Sequence, residues 1–348
     1  MKNKISFSIL GLGRVIEKRI YFMFKKELKN AYVKTIFDKN EKKLNKYKKL
    51  FNCKVEHSLE KFLNIKTDFV YIATESGNHF SHILKCFKKN KNVIVEKPPV
   101  LKVNQLITLN KIAKKKNLKF YTVFQNRLNK SVQHVKNIIK KEKIIYSNLN
   151  LVWSRPQKYY YDWHGNWNMD GGVLAQQGIH YVDLLIYLFG QPLKCISSIS
   201  NKVNKLQAED THSSLIIFKK NEISCNVSMS TAFRPVDYEA SINIYCKDKI
   251  ITLKGLCCNE VSVHKLKSKK RSSIIKKFSQ KVPSGYGVSH KKVFQKIIDK
   301  ELKKSGTTPL KAIETIGTIK LINMMYISFF KKRWVYFKEK NLISKLGN

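Results

Sequence analysis

The chain has 348 residues, 43% hydrophobic and 11% aromatic, enough for two domains of ordinary size with buried cores, which excludes wholesale disorder. The formal charge is +44, yet only seven of the 68 basic residues are arginine, and the lysines travel with abundant Ile, Asn, Tyr and Phe, the residues that AT-rich codons supply. Charge of that form disfavours a dedicated nucleic-acid reader, which relies on the bidentate guanidinium, so no specific nucleic-acid partner is expected, although the field still attracts anionic metabolites.

The first third alternates short β-branched runs with Lys-decorated amphipathic stretches, the rhythm of βαβ units and a parallel sheet. Strands are predicted at Ile5 to Leu10, Val33 to Phe37, Phe69 to Ala73, Val93 to Val95 and Phe120 to Phe124. Helices are predicted at Glu17 to Lys29, Lys39 to Phe51, His79 to Asn90 and Val103 to Asn117. The basic start and apolar run from Met1 to Gly13 lack a small-residue cleavage site, so a buried strand is expected there rather than a leader. A doubly wound domain over residues 1–124 follows.

The first strand runs into Gly11-Leu12-Gly13-Arg14-Val15-Ile16 and then a helix, the context a dinucleotide fingerprint requires. Gly11 permits the tight turn, and Gly13 lets a pyrophosphate approach main-chain N–H groups at a helix terminus. Ile16 stands where a third small residue would sit, which weakens the motif. Asp38, 25 residues after Gly13, closes the second strand where a carboxylate accepts both ribose hydroxyls of NAD and repels the extra phosphate of NADP. Asp38 reads alternatively as the N-cap of the next helix, and Lys39 and Lys42 leave dual cofactor use open. Thr74-Glu75-Ser76-Gly77-Asn78-His79 and Glu96-Lys97-Pro98 fall at the carboxyl ends of later strands, where open α/β sheets bind ligands. A lysine there holds a substrate hydroxyl and shares its proton if desolvation and neighbouring charge lower its pKa, whereas the tripeptide alone reads as a solvated turn.

Residues 125–348 are expected to form a second, α+β domain for substrate binding and oligomerisation. A helix from Ser131 to Glu142 precedes a strand, an aromatic loop and a helix from Leu174 to Phe189. Period-two segments at Ser213 to Phe218, Ile223 to Ser230, Glu239 to Cys246 and Ile250 to Leu253 predict a mostly antiparallel sheet with one covered face. Seven cysteines without a C-x-x-C pair, Cys257 and Cys258 alone being adjacent, supply neither a disulfide framework nor a zinc site, so no metal is expected and a reducing cytoplasm fits. Lys265 to Lys281 reads as a mobile loop. Helices follow at about His290 to Lys304 and Pro309 to Phe330, and the last of them is a candidate to pack back on the first domain. The apolar run Leu321 to Phe330, bounded by Lys320 and Lys331, is far short of the about 20 residues a membrane span needs, so no membrane partner is expected.

Gly171-Gly172-Val173-Leu174-Ala175-Gln176-Gln177-Gly178-Ile179-His180-Tyr181-Val182-Asp183 gives the lysine company. The order of glycine loop, Glu-Lys-Pro and Gly-x-His-x-x-Asp resembles the glucose-fructose oxidoreductase / inositol dehydrogenase (Gfo/Idh/MocA) family over nearly the whole chain. Gln125-Asn126-Arg127-Leu128-Asn129, Trp153-Ser154-Arg155-Pro156 with Tyr159 and Tyr160, Gly165-Asn166-Trp167 and Glu209-Asp210-Thr211 resemble the branch that oxidises UDP-N-acetylglucosaminuronate at C3 for surface-polysaccharide synthesis.

The resemblance implies an NAD-dependent dehydrogenase, NADP being disfavoured, with Lys97 and His180 as the catalytic pair beside the nicotinamide. The cofactor set expected is Gly11, Gly13, Arg14, Val15, Asp38, Thr74, Asn78, His79, Glu96, Lys97 and Gln125. The substrate set is Lys97, Arg155, Tyr159, Tyr160, Gln176, Gln177, His180 and Asp183. Many members carry Asp at Gln176, so this chain loses a carboxylate that would raise the His180 pKa, and keeps an amide to orient the sugar. One turn of a continuous helix would put Gln176 and His180 on the same face. Arg155 is the natural fork for a uronate or diphosphate, although the Trp and Tyr cluster around it reads equally as domain-interface core. Asp183 orients the imidazole or binds a nearby group structurally, the latter being slightly favoured. A homo-oligomer, dimer or tetramer, through the C-terminal sheet is expected. Other sugar or cyclitol dehydrogenases, an NADPH-dependent reductase and a silent NAD-binding regulator stay open as alternatives.

Overall fold

In the computed structural model, residues 3–267, 274–304, 306, 308–340 and 342–348 are described. The chain opens with β1 (Ile5–Leu10), β2 (Ala31–Phe37), α1 (Glu41–Phe51), β3 (Lys54–Val55), α2 (Leu59–Asn64), β4 (Phe69–Ile72), α3 (His79–Lys88), β5 (Val93–Val95), α4 (Val103–Lys115) and β6 (Phe120–Thr122). It continues with α5 (Lys130–Ile138), β7 (Ile144–Val152), α6 (Val173–Gln176), α7 (Ile179–Phe189), β8 (Pro192–Ser200), β9 (Thr211–Phe218), β10 (Ser224–Ser230), β11 (Glu239–Cys246), β12 (Lys249–Lys254) and β13 (Glu260–Lys265). Last come α8 (His290–Glu301), α9 (Ile316–Lys331) and β14 (Val335–Tyr336).

Two units result, Met1–Gln125 with Val288–Ile316, and Asn126–Gly287 with Gly317–Asn348. In the first, six parallel strands stand in the order β3-β2-β1-β4-β5-β6. Every residue of β1, β4 and β5 is buried, as central strands covered on both faces require. Asn40 caps α1 by accepting the Lys43 N–H at 3.1 Å, so the cap is Asn40 and not Asp38. The helix expected over Glu17 to Lys29 is wound in wide i→i+5 turns at Ile16–Ile20 and Met23–Glu27, the first starting at the fully buried Ile16.

The placement of α8 differs from the sequence-based division at residue 124, because α8 belongs to the first unit. Phe294 packs edge-on to Tyr71 and Phe24 at 5.1 and 5.7 Å and lies 6.0 Å from Phe7, so a cluster distant in sequence recruits the helix. The short elements β3 and α2 were not predicted, since neither is long enough to show a period.

The second unit holds an eight-stranded sheet ordered β13-β12-β11-β7-β10-β9-β8-β14, antiparallel except between β7 and β10. On β10, buried Cys225, Val227 and Met229 alternate with exposed Asn226 and Ser228, the signature of one covered face. Over that face lies α9, accepting a hydrogen bond from the Ser197 hydroxyl at the Met325 carbonyl. The helix predicted as continuous from Leu174 to Phe189 is interrupted at Gln177-Gly178, where the Gly178 N–H reaches back five residues to Val173 O at 2.7 Å. Of the stretch predicted to be a mobile loop, residues 268–273 lie outside the described residues. The rest is tied down, with Ile274 bridging Ser262 and a helical turn at Lys276–Phe278. Among the described residues no helix is long and apolar enough to cross a membrane.

Candidate active site

Parallel topology sends successive strand ends to one edge of the first unit's sheet, and the predicted residues follow those ends. Gly11 follows β1, Asp38 follows β2, Thr74 stands two residues beyond β4 and Lys97 two beyond β5. Gly11 has φ +92°, and a Cβ there would come within 2.8 Å of Thr74, so the tight turn admits glycine alone. At Gly13 a Cβ would meet only the Ala73 carbonyl, at 3.6 Å, so protein packing does not demand glycine there and the space in front of it stays open. Arg14 is exposed beside that opening and Val15 is half-buried.

Asp38 Oδ2 accepts the Leu12 N–H at 2.6 Å and Oδ1 the Asn40 N–H at 2.8 Å, which fixes the carboxylate against the glycine loop where ribose hydroxyls would be held. Gln125 is 2% exposed and its Oε1 has no hydrogen-bond partner, a buried acceptor left for a ligand amide or hydroxyl. An open glycine turn, an anchored carboxylate and an orphaned amide oxygen on one chain fit a dinucleotide.

Three members of the expected cofactor set have other partners. His79 is 1% exposed, with Nδ1 at 2.7 Å from the Pro98 carbonyl oxygen and Nε2 at 3.0 Å from that of Thr74, and burial pushes its pKa down to about 4. It therefore ties the Thr74 turn to the turn that carries Lys97. Glu96 accepts the Tyr71 hydroxyl at 2.5 Å, and burial raises its pKa. Asn78 Nδ2 donates to Glu75 Oε2 at 3.2 Å.

In the second unit the substrate candidates stand on α6, α7 and the aromatic loop before them. Gln176 Nε2 donates to Asp170 Oδ2 at 3.0 Å, and Asp170 Oδ1 accepts the Gly165 N–H at 2.8 Å, so one buried carboxylate joins the loop to α6. Gln177 Nε2 reaches the Tyr159 hydroxyl at 3.3 Å. His180 is half-buried as the second residue of α7, and the interruption at Gln177-Gly178 removes the continuous turn that was to align it with Gln176.

Two candidates are claimed by neighbours that the sequence did not reveal. Asp183, 1% exposed, accepts Arg127 at both oxygens, at 2.7 and 2.6 Å, and the Thr318 hydroxyl at 2.8 Å. These bonds hold the segment after β6 and α9 to α7. Arg155 Nη1 pairs with Asp237 at 2.7 Å and its plane lies over Trp153 and Tyr159, so the fork is already charge-compensated. The Tyr160 hydroxyl lies 2.7 Å from that of Thr231, and burial pushes its pKa up to about 12. Asp170 and Asp237 had no signal of their own in the sequence, and Arg127 stood in a quoted motif without its partner, because a lone charged residue in a loop does not announce what it pairs with.

The family model described as "Oxidoreductase family, NAD-binding Rossmann fold" matches residues 5–124, and the one described as "Oxidoreductase family, C-terminal alpha/beta domain" matches residues 136–337. The chain belongs to this oxidoreductase family, Gfo/Idh/MocA. It is 21% identical over 250 residues to glucose-6-phosphate 3-dehydrogenase of Bacillus subtilis, covering 68% of this chain and 70% of that protein. Among solved structures, the WlbA dehydrogenase from Chromobacterium violaceum in complex with NADH and UDP-GlcNAcA superposes with a TM-score of 0.84 at 24% identity, covering 96% of each chain. The WlbA dehydrogenase from Bordetella pertussis, with the same two ligands, gives 0.83 at 22% identity, covering 97% of this chain and 100% of that one. At these identities the structural likeness is one of fold.

Proposed function

We propose that this protein uses NAD to oxidise a ring hydroxyl, at C3, of a sugar nucleotide such as UDP-N-acetylglucosaminuronate, in the cytoplasm, for surface polysaccharide such as lipopolysaccharide O-antigen. The observation that carries the reading is the row of Gly11, Asp38, Thr74 and Lys97 beyond the ends of four parallel strands, with Asp38 anchored to the glycine loop. Bound NAD supplies the hydride acceptor. Lys97 holds the hydroxyl oxygen, the hydroxyl proton passes to His180 or Lys97, and Gln176, oriented by Asp170, positions the sugar. Glu96 and His79, expected in the cofactor set, support the Lys97 turn through Tyr71 and the Pro98 carbonyl. The outer face of the second unit's sheet, where Tyr146 stacks on Tyr245 at 4.2 Å beside the half-exposed Ile145, is the proposed surface for pairing two copies.

The decisive experiment is to look for a dinucleotide retained by the purified protein and then to screen sugar nucleotides, free sugars and cyclitols for NADH formation. Turnover of a UDP-sugar with NAD is expected. A protein that retains NAD but oxidises only uncharged sugars or cyclitols fits the second reading, which the Arg155–Asp237 pair favours because it neutralises the residue expected to meet an anion. Absence of any turnover with retained NAD points to a regulator.

A further inference from the structure

The glutamate that precedes β9 is buried in the second unit and takes no part in the chemistry proposed above. Glu209 is 0% exposed. Its backbone oxygen accepts the Val173 N–H at 2.9 Å, and its side-chain Oε1 accepts the Leu174 N–H at 3.0 Å, so it satisfies two amides of the first turn of α6. Oε1 also accepts the Tyr326 hydroxyl from α9 at 2.9 Å, and that hydroxyl in turn lies 3.4 Å from the Gly172 N–H. Gly172 has no room for a side chain, because a Cβ would fall on the Glu209 carbonyl and carboxyl. The four-residue helix α6 is too short to hold itself and carries Gln176, with Gln177 just beyond it.

We propose that Glu209 is a positioning residue for the substrate wall: its carboxyl fixes the start of α6 and thereby the place of Gln176 and Gln177. The proposal rests on the sugar-dehydrogenase reading for its consequence in catalysis, but not for the placement of α6. Among the described residues the titratable groups facing this carboxyl are Tyr326 on α9 and the neighbouring Asp210. The Asp210 charge is spent on the backbone N–H groups of Lys202, Val203 and Asn204, at 2.9, 3.0 and 2.8 Å. Burial, reinforced by Asp210, pushes the Glu209 pKa up from 4.5 to about 8. Oε2 is buried with no hydrogen-bond partner, so nothing there offsets the cost of burying the charged form. In the folded chain the group keeps a proton that the unfolded chain has lost, so its contribution to stability declines as pH rises from 4.5 to about 8.

The test compares Glu209→Gln, Glu209→Ala and Tyr326→Phe in the full chain. Glu209→Gln keeps the acceptor, so substrate KM should stay within about threefold of wild type, and the alkaline decline of the thermal midpoint should flatten. Glu209→Ala should raise KM about tenfold or more with NAD affinity unchanged, and Tyr326→Phe should move KM the same way by less. Hydrogen exchange of the Val173, Leu174 and Gln176 amides should accelerate in Glu209→Ala and return to wild type in Glu209→Gln. A folded Glu209→Ala with wild-type exchange at those amides overturns the proposal. So does a Glu209→Gln as impaired as Glu209→Ala. A wild type that turns over no sugar nucleotide removes the functional reading alone, because the exchange measurement decides the role of Glu209 without substrate.

Discussion

The two units build their functional surfaces by different means. In the first, strand ends do the placing: a residue one or two positions past a parallel strand arrives at the shared edge, and contacts such as Glu96 to Tyr71 and His79 to Pro98 then fix the turn. In the second, the candidate residues sit on two short helices and an aromatic loop, and buried side-chain links hold them: Asp170 to Gln176 and Gly165, Arg127 to Asp183, Glu209 to Leu174. Strand ends therefore set the first surface, with Asp38 held to Leu12 and Glu96 to Tyr71, while polar cross-links set the second. Losing one link there leaves a buried polar group unsatisfied and disturbs the fold as well as the site.

The comparison is tested most severely by the proposed catalytic pair, one residue on each surface. Lys97→Ala and His180→Asn should each lower turnover by about 10²- to 10⁴-fold while NAD, followed by fluorescence titration, still binds. Near-normal turnover in both would remove the pair from the mechanism. Next in size, Asp183→Ala leaves the half-buried Arg127 guanidinium without its carboxylate and the Thr318 hydroxyl without its acceptor, and should cost about 3 kcal/mol in chemical denaturation. A loss of activity at unchanged stability would keep Asp183 in the substrate set.

A pH experiment sharpens the same contrast. His212 on β9 is fully buried, neither ring nitrogen has a hydrogen-bond partner, and burial pushes its pKa down from 6.5 to about 3. The unfolded chain therefore binds a proton that the folded chain refuses, and the stability from keeping His212 neutral, present in full above 6.5, is lost progressively as pH falls toward 3. The slope is at most about 1.4 kcal/mol per pH unit, and His212→Leu should reduce it in acid denaturation curves. The smallest effect belongs to the topological surface. Asp38→Ala should weaken NAD about tenfold and narrow its preference over NADP, with little change in thermal midpoint. A large drop in stability would mean that the first surface also depends on polar links.

Much of the first unit was legible because its signals are local. The apolar runs of β1 and β5 gave their boundaries, the G-x-G turn and Asp38 lay at the strand ends that periodicity predicts, and the family resemblance rested on motifs of the same kind. Lys97 and His180, the proposed catalytic pair, were singled out by their company in the chain. The residues that escaped reading are those whose meaning depends on a distant partner. Asp183 was read as orienting His180 or, slightly favoured, as structural, and only the folded chain brings Arg127 and Thr318 to it across 56 and 135 residues. Arg155 read equally as a substrate fork or as part of an aromatic core, and its partner Asp237, 82 residues away, was not visible.

From sequence alone came the α/β class, the parallel sheet of the first unit, the edge at which its candidate ligand-binding residues gather and the resemblance to the family to which the chain belongs. These depend on hydrophobic period and strand-end position, quantities carried by contiguous residues. Tertiary structure alone decided that α8 joins the first unit, that the helix before His180 breaks at Gln177-Gly178, and which charged side chains are spent on the fold. Those outcomes rest on packing volume and on satisfying every buried polar group, and both are settled between residues far apart in the chain.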